Sequence, residues 1–289
     1  MNGSTKFAIF ILIIVVILGE MGKEGGDGYP KLRPNDEQAL PPLADAAPEG
    51  FGEIGPASPR DPIVEIEDEL KAGRQQYTGT AFSIDERGLW VTARHVTNGC
   101  DQLTLLRPSN RPLRVRNIAE HVAADVSILQ TDSGYEALPI DYSNPIFNQE
   151  GFHFGFPQGE PGAVYSKLIG RRTIKTTGTR RVREPVFVWA EKIRVPNHNK
   201  SLGGISGGPI LNKDGSVVGI HVAGSVRRGR SFSSMPLRID DLLSQNEVEI
   251  TNVASSPARL TTLNAAEFSK VGEELRGGLT IAQVLCRTN

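Results

Sequence analysis

Short runs of apolar and β-branched residues, separated by turn residues, dominate the chain from Val64 onward. Two pairs of runs are predicted as β-hairpins because polar and glycine residues link their members. These are Gly79–Ile84 with Leu89–Ala93, and Pro209–Leu211 with Ser216–Val222. Further strands are predicted at Gln102–Leu106, Val126–Gln130, Phe152–Phe156 and Val186–Trp189. Strands at a spacing of about ten residues favour an antiparallel barrel or sandwich over βαβ units.

Helical periodicity is confined to two segments near the C-terminus. In Leu237–Gln245 the apolar residues fall on one face, and Ala265–Leu275 has a similar pattern. The sequence therefore predicts an all-β protein with short C-terminal helical segments.

The N-terminus carries an unbroken apolar run, Phe7–Leu18, preceded by Lys6. A helix of this length reaches roughly 18 Å, short of the ~30 Å hydrocarbon core, which is typical of a signal-peptide core. No small-residue cleavage site follows, so residues 1–22 are predicted as either a cleaved signal peptide or an uncleaved signal-anchor. Both alternatives export the chain. Cleavage would release a secreted protein, whereas an uncleaved anchor would tether the chain to the inner membrane, facing the periplasm.

Between this run and the strands, residues 23–62 are rich in Gly, Pro, Ala and acidic residues. Such a composition cannot bury enough apolar surface to fold alone, so we expect a flexible linker. The folded domain is expected over residues 63–250, followed by a C-terminal tail at 251–289.

Composition, net charge and cysteine spacing argue against some classes of function. The 289 residues carry a net charge of −1, with 38% hydrophobic and 22% charged residues, as in a soluble globular protein. This balance argues against nucleic acid as a partner. The two cysteines, Cys100 and Cys286, form no CxxC pair, which makes a four-ligand zinc site unexpected. They form one disulfide if the compartment is oxidising, or two free thiols if it is not.

Candidate chemistry centres on a glycine-rich segment around Ser206, GISGGP. Glycines let the backbone bend so that the hydroxyl projects and nearby N–H groups converge on one point, as a tetrahedral oxyanion requires. A serine in this setting needs a base, and the base needs an orienting carboxylate. His95, at the end of a predicted strand, and Asp125, at the start of another, are the candidates.

These segments, in the order His, Asp, Ser, resemble the chymotrypsin-like serine peptidases, most closely the compact bacterial trypsin-like peptidases and the protease domain of HtrA-type proteases. The resemblance covers about Val64–Gln245. The matching segments are GTAF at 79–82, TARHV at 92–96, ADVSIL at 124–129, GFPQG at 155–159 and GISGGPI at 204–210.

The resemblance implies two six-stranded antiparallel β-barrels, about 63–138 and 139–250, with the active site in the cleft between them. It also implies roles for the site residues. Ser206 is the nucleophile, His95 the general base and then acid, and Asp125 orients the imidazole. The backbone N–H groups of Gly204 and Ser206 form the oxyanion hole. The expected reaction is hydrolysis of peptide bonds in proteins or peptides, without a cofactor or metal.

Two departures from the family pattern change the expectations. Ile205 stands where digestive proteases have the aspartate that pairs with a new N-terminus, so we expect no activation by such a cleavage. HtrA-type proteases continue into a PDZ domain, and the 39 residues from Thr251 onward are too few for one.

Specificity is predicted from the strand after the nucleophile, which ends at Gly224 and should line the S1 pocket. Its GIH sequence resembles glutamate-specific endopeptidases and picornaviral cysteine proteases, in which this histidine binds an acidic or amide P1 side chain. His221 and Ser201 are therefore candidates for binding P1 Glu or Gln. In the alternative, His221 packs in the barrel wall and the pocket takes small apolar residues.

Three alternatives stay open at this stage. The basic stretch Lys167–Arg183 is an exposed hairpin that is either simply solvated or recruits acidic substrates or anionic lipids. His121, His153 and His198 are taken as structural or solvent-facing. The protease fold is also compatible with a catalytically silent peptide-binding domain. The oligomeric state is not predictable from the sequence.

Overall fold

The computed structural model describes residues 52–68, 76–107, 112–178, 182–197, 200–225, 228–250 and 263–288. The predicted signal segment, most of the linker and His198 lie outside these residues. No helix among the described residues has the length and apolar character needed to cross a membrane.

Thirteen strands and three helices follow one another in the described residues. The strands are β1 (Ile63–Asp68), β2 (Gln76–Asp85), β3 (Leu89–Thr92), β4 (Gln102–Leu106), β5 (Leu113–Glu120), β6 (Ser127–Thr131), β7 (Glu150–Gly155), β8 (Gly162–Gly178), β9 (Arg183–Val195), β10 (Pro209–Leu211), β11 (Val217–Ser225), β12 (Arg230–Ser234) and β13 (Ile281–Arg287). The helices are α1 (Arg94–Thr97), a single turn, α2 (Leu237–Gln245) and α3 (Phe268–Gly277).

The first barrel is closed and antiparallel, in the order β13-β2-β3-β6-β5-β4. Its closing strand is β13, which pairs with β2 on one side and β4 on the other. The structure therefore differs from the sequence expectation that residues 251–289 form a tail. Ile281, Val284 and Cys286 are buried, so their burial in the barrel holds this strand in place.

The second sheet runs in the order β1-β8-β7-β10-β11-β12-β9, and β8 also pairs with β9. The six antiparallel strands β7 to β12 thus form a closed ring, and β1 is added to the edge of β8 as a parallel strand. The predicted fold class, two six-stranded antiparallel barrels with short helices near the C-terminus, is confirmed. The extra strand β1 was not predicted.

One hydrophobic cluster spans both barrels. Phe82 of the first barrel belongs to the same buried cluster as Phe152 and Phe154 of the second. Helix α3 closes this cluster with Phe268, whose ring centroid lies 5.9 Å from that of Phe152. This shared core fixes the two barrels against each other and so sets the geometry of residues at their boundary.

The basic stretch is less exposed than predicted. Arg171 pairs with Asp61 through two hydrogen bonds, of 2.5 and 3.0 Å, and both side chains are mostly buried. Arg172 is buried, and Lys175 pairs with Glu65 at 2.8 Å. The acidic residues come from β1 and the turn before it, so this part of the chain partly neutralises and covers the basic strand.

Candidate active site

His95 and Asp125 meet at one edge of the first barrel. His95 lies in the α1 turn directly after β3, and Asp125 lies in the loop before β6. The Asp125 carboxylate accepts two hydrogen bonds from the same residue: from the His95 backbone N–H at 2.8 Å and from its Nδ1 at 2.6 Å. The Nδ1 contact fixes a tautomer with its proton on Nδ1, so Nε2 is the nitrogen able to accept a proton.

The electrostatics of Asp125 favour the ionised form. Burial alone would raise its pKa, but the charge of His95, the two hydrogen bonds from His95 and the charge of Arg94 together lower the pKa below its usual value. Arg94 is held in place by a 2.6 Å hydrogen bond to the carbonyl of His121. Asp125 is therefore a carboxylate that can orient an imidazole and stabilise its protonated form.

The loop that carries Ser206 is anchored to both barrels. From the first barrel, the Thr80 N–H donates to the Ser206 carbonyl at 2.8 Å, and the Thr80 hydroxyl donates to the Gly204 carbonyl at 2.8 Å. From the second, the Gly207 N–H donates to the His221 carbonyl at 2.8 Å. A Cβ on Gly207 would also lie 2.7 Å from the backbone nitrogen of Ala93, so the serine loop packs against the chain two residues before His95.

Glycine is required in this loop. Gly204 has φ +97°, and a Cβ there would lie 2.5 Å from the Phe156 carbonyl oxygen. Gly207 has φ +85°, and a Cβ there would collide with the Thr80 carbonyl oxygen. Among the described residues, neither the Gly204 N–H nor the Ser206 N–H donates to another protein group. Both remain available to an oxyanion.

The Ser206 hydroxyl is buried and makes no hydrogen bond with a described residue. A hydrogen bond between the Ser206 hydroxyl and His95 is therefore not formed in this structure, although apo geometry of this kind does not exclude a catalytic pair.

A cavity of about 50 Å³ opens beside His95 and Asp125. Its apolar lining comes from β1, β8 and β11, and Glu184 of β9 contributes its only other carboxyl group. The cavity is large enough for a small side chain next to the predicted catalytic residues.

The residues predicted to line S1 are close along the chain to the serine loop but are not joined to one another. The Ser201 hydroxyl accepts the Gly203 N–H at 3.1 Å and makes no hydrogen bond to His221. His221 is fully buried on β11, and Gly224 follows on the same strand, where it pairs with Ser231. Ser201 therefore supports the serine loop in this geometry.

His221 belongs to a buried polar chain that the sequence did not reveal. Its Nδ1 lies 3.0 Å from Nδ1 of His153, and Nε2 of His153 lies 2.7 Å from the Ser166 hydroxyl. Burial lowers the pKa of His153 to about 3, and burial with the charge of His153 lowers that of His221 well below its usual value. Both rings are therefore neutral at pH 7. His153 is structural, as expected, yet it also contacts a predicted site residue.

Glu184 is a second residue that sequence reasoning missed. It is 3% exposed, and its carboxyl Oε2 accepts the Asp125 N–H at 2.8 Å. One signal was present: Glu184 alternates with the buried Val186 and Val188, so it occupies a core-facing position of a strand. A carboxyl group at such a position requires a polar partner inside.

Cys100 and Cys286 are joined in a disulfide, with their Cα atoms 5.5 Å apart. The bond links β13 to the segment that follows the α1 turn, and so ties the closing strand of the first barrel to the region of His95. Among the described residues, no group of three or more His, Cys, Asp or Glu side chains is placed to hold a metal ion.

Comparison with known proteins places this site in a family context. The sequence profile of the trypsin-like peptidase domain matches residues 79–220, which include all three residues of the His95, Asp125 and Ser206 set. A probable periplasmic serine endoprotease, DegP-like, of Halomonas elongata is 30% identical over 147 residues, covering 50% of this chain and 28% of that protein. The chloroplastic protease Do-like 1 of Arabidopsis thaliana is 27% identical over 154 residues, covering 51% and 33%. The chain thus spans a third or less of the length of these relatives.

Solved structures with a similar backbone include the active form of a protease from M. tuberculosis, with a TM-score of 0.49, 14% identity and coverage of 73% of this chain and 99% of that one. The HtrA-type protease AlgW, solved with a decapeptide, has a TM-score of 0.48 and 20% identity, covering 58% and 51%.

Proposed function

We propose that the protein is a serine endopeptidase that acts on proteins or peptides through an acyl-enzyme intermediate, because residues 79–220 match the trypsin-like peptidase domain. The observation that carries the proposal is the pair of hydrogen bonds that the Asp125 carboxylate accepts from His95, at 2.8 and 2.6 Å. These bonds orient the imidazole so that its Nε2 can serve as the base for Ser206, whose hydroxyl has no hydrogen-bond partner among the described residues.

The proposed reaction uses the chain's own groups at each step. His95 takes the proton of Ser206 as the Ser206 oxygen attacks the substrate carbonyl, and the Asp125 carboxylate stabilises the imidazolium that forms. The N–H groups of Gly204 and Ser206 donate to the oxyanion. His95 then protonates the leaving amine, and water releases the acyl group from Ser206 by the same path in reverse.

The site of action is proposed to be outside the cytoplasm, with the N-terminal apolar segment serving as a signal peptide or as an anchor in the inner membrane. The Cys100–Cys286 disulfide supports this placement, because disulfides persist mainly in oxidising compartments. The relative from Halomonas elongata is described as periplasmic.

For P1 we propose a preference for small apolar residues, because His221 is fully buried. Its Nδ1 lies 3.0 Å from Nδ1 of His153, whose Nε2 lies 2.7 Å from the Ser166 hydroxyl, so the His221 ring belongs to a polar chain inside the barrel wall. The alternative is that His221, with Ser201, binds a P1 Glu or Gln side chain.

The proposed activity is tested by labelling the full-length chain with a fluorophosphonate, beside its Ser206→Ala variant. We expect labelling of the wild type and none of the variant, together with hydrolysis of an unfolded protein substrate by the wild type only. A folded wild type that neither labels nor hydrolyses would overturn the proposal and favour a silent peptide-binding domain.

The P1 preference is tested without a mutation in the buried pair. Peptides that differ only at P1 (Gln, Glu, Ala, Val and Lys) are compared by kcat/KM at pH 7.5. We expect faster cleavage after Ala and Val than after Gln or Glu, because the buried His221 ring does not reach the substrate. Faster cleavage after Gln or Glu would overturn this preference and show that His221 contacts the P1 side chain.

A further inference from the structure

A carboxyl group from the second barrel lies directly behind Asp125. Glu184 is on β9, whereas Asp125 belongs to the first barrel, and the 2.8 Å hydrogen bond from the Asp125 N–H to Glu184 Oε2 crosses the boundary between the barrels. Glu184 is 3% exposed. It also lines the cavity that opens beside His95.

Asp125 is held both through its side chain and through its backbone. Its side-chain oxygens both accept from His95, through Nδ1 and the backbone N–H. Its own backbone N–H is held by Glu184. The orientation of the carboxylate therefore depends on a residue of each barrel.

We propose that Glu184 is a positioning residue of this site, which holds the backbone of Asp125 and adds a second carboxyl group behind the Asp125–His95 pair. The proposal rests on the peptidase function proposed above for its effect on rate. Its structural part, the coupling of Glu184 to the pair, stands independently of hydrolysis.

The charges around Glu184 decide when the second carboxyl group becomes an anion. Burial raises the pKa of Glu184 to about 7, and the Asp125 carboxylate raises it as well. The Ser234 hydroxyl of β12, the Asp125 N–H and the Arg238 guanidinium of α2 oppose this rise. From the α1 turn, Arg94 and His95 both face Asp125. Glu184 therefore changes charge near neutral pH.

Ionised Glu184 favours proton transfer to His95. When His95 takes the Ser206 proton it becomes a cation, and two carboxylates stabilise that cation more than one does. At lower pH Glu184 is neutral and still accepts the Asp125 N–H through its carbonyl oxygen. The hydrogen bond thus persists on both sides of the titration, while the electrostatic support appears only above it.

Two substitutions separate the hydrogen bond from the charge. Glu184→Gln keeps an oxygen acceptor for the Asp125 N–H but cannot ionise, whereas Glu184→Ala removes both. Asp85→Asn is the matched control, since Asp85 is also a buried carboxylate but pairs with Arg87 at the far end of β2. All three are made in the full-length chain, and folding is checked by circular dichroism.

The first measurement is the pH dependence of the Asp125 backbone amide signal by NMR in the Ser206→Ala background, with the signal assigned in an aspartate-labelled sample. We expect the signal to shift with a midpoint at about pH 7 when Glu184 is present, because the carboxyl group that accepts this N–H ionises there. In Glu184→Gln this step should disappear, since the side-chain amide cannot ionise. Superimposed curves would overturn the proposal whether or not the protein hydrolyses peptides.

The second measurement is the pH dependence of fluorophosphonate labelling with Ser206 intact. We expect Glu184→Gln to label about three-fold more slowly than wild type at pH 8 and equally at pH 6, and Glu184→Ala to lose about ten-fold or more at both. Asp85→Asn should match wild type. An equal loss in Glu184→Ala and Asp85→Asn would mean that Glu184 only stabilises the fold.

These outcomes keep the two proposals apart. A wild type that does not label, combined with a pH-dependent shift of the Asp125 amide signal that requires Glu184, would overturn the peptidase function and retain the coupling. Labelling that depends on Ser206 but not on Glu184 would do the reverse.

Discussion

Two buried residues of this protein have pKa values far from their usual values in water. Glu184 lies at the boundary between the barrels and His153 lies in the second barrel, and burial is the first cause of the pKa shift of each. A group whose pKa differs between the folded and unfolded chain makes stability depend on pH. These two residues therefore give the fold opposite pH dependences between acid and neutral pH.

For Glu184 the sign follows from a raised pKa. Between its usual value of 4.5 and about 7, the unfolded chain loses a proton that the folded chain keeps, so stability falls as pH rises through this window. We expect the Glu184→Gln substitution to remove this fall in the free energy of unfolding, which is on the order of 3 kcal/mol across the window. Urea unfolding at pH 4.5 and pH 8 measures the free energy of unfolding of both proteins. The stability of the variant relative to wild type should be greater at pH 8 than at pH 4.5. A pH-independent difference would contradict the prediction.

For His153 the sign is reversed because its pKa is lowered. Below pH 6.5, the usual pKa of histidine, His153 binds a proton in the unfolded chain, whereas in the folded chain it stays neutral until about pH 3. Stability therefore falls as the pH falls through this range. The wild type should lose free energy of unfolding between pH 7 and pH 4.5, and His153→Gln should remove about 3 kcal/mol of that loss. The check is the change in unfolding free energy between these two pH values in each protein. Equal changes would show that His153 is protonated in the folded state.

At the scale of elements, the strands recognised from sequence are those with a local signature. The hairpin of β2 with β3, strand β4 and helix α2 lie where turn residues and apolar periodicity predict them. Strands β1, β5, β12 and β13 were not predicted, and β1 and β13 also lack a hairpin partner next to them in sequence. Only the folded chain shows that Ile281 pairs with Phe82.

The residues of the candidate site also differ in whether a local sequence signature marks them. The set of His95, Asp125 and Ser206 could be predicted because each residue lies in a short motif with its own local geometry. Glu184 and His153 lie in strands without a motif, and their contacts with Asp125 and His221 join segments 59 and 68 residues apart. Sequence alone does not reveal which core-facing polar residue will find a partner across a barrel.

The attachment of β1 gives a prediction at this scale. The Asp61–Arg171 pair anchors the start of β1 in a mostly buried setting, where Asp61 has 13% of its side chain exposed. The hydrogen bond from Arg171 is the main reason that the pKa of Asp61 is lowered. We expect Asp61→Asn to destabilise the β1–β8 edge by about 1–3 kcal/mol, because it leaves a buried guanidinium without its ion pair.

Hydrogen exchange resolved along the chain measures this effect. Protection should fall in residues 63–68 and remain unchanged in the first barrel. Asp132→Asn is the control, since Asp132 also forms a hydrogen-bonded ion pair with an arginine, Arg116, but is 57% exposed. It should change protection little. Equal effects of the two substitutions would mean that burial does not strengthen the Asp61 pair.

At the scale of the whole molecule, the two ends of the described domain are tied together around the site. The last strand, β13, closes the first barrel, and its Cys286 is bonded to Cys100, which lies 186 residues earlier and five residues after His95. Cross-linking positions so far apart restricts the unfolded chain strongly. The disulfide therefore stabilises the barrel that carries His95 and Asp125, and not merely a local loop.

We expect reduction of this bond to lower the unfolding free energy by about 2–5 kcal/mol, and labelling of Ser206 to become sensitive to reductant near the new, lower melting temperature. Melting temperature and fluorophosphonate labelling are measured for wild type with and without dithiothreitol. The Cys100→Ser, Cys286→Ser double variant is the control, because it should match reduced wild type and ignore the reductant. If wild type purified from an oxidising compartment also ignores the reductant and contains two free thiols by mass spectrometry, the bond does not form, and the first barrel must be held closed by the pairing of β13 alone.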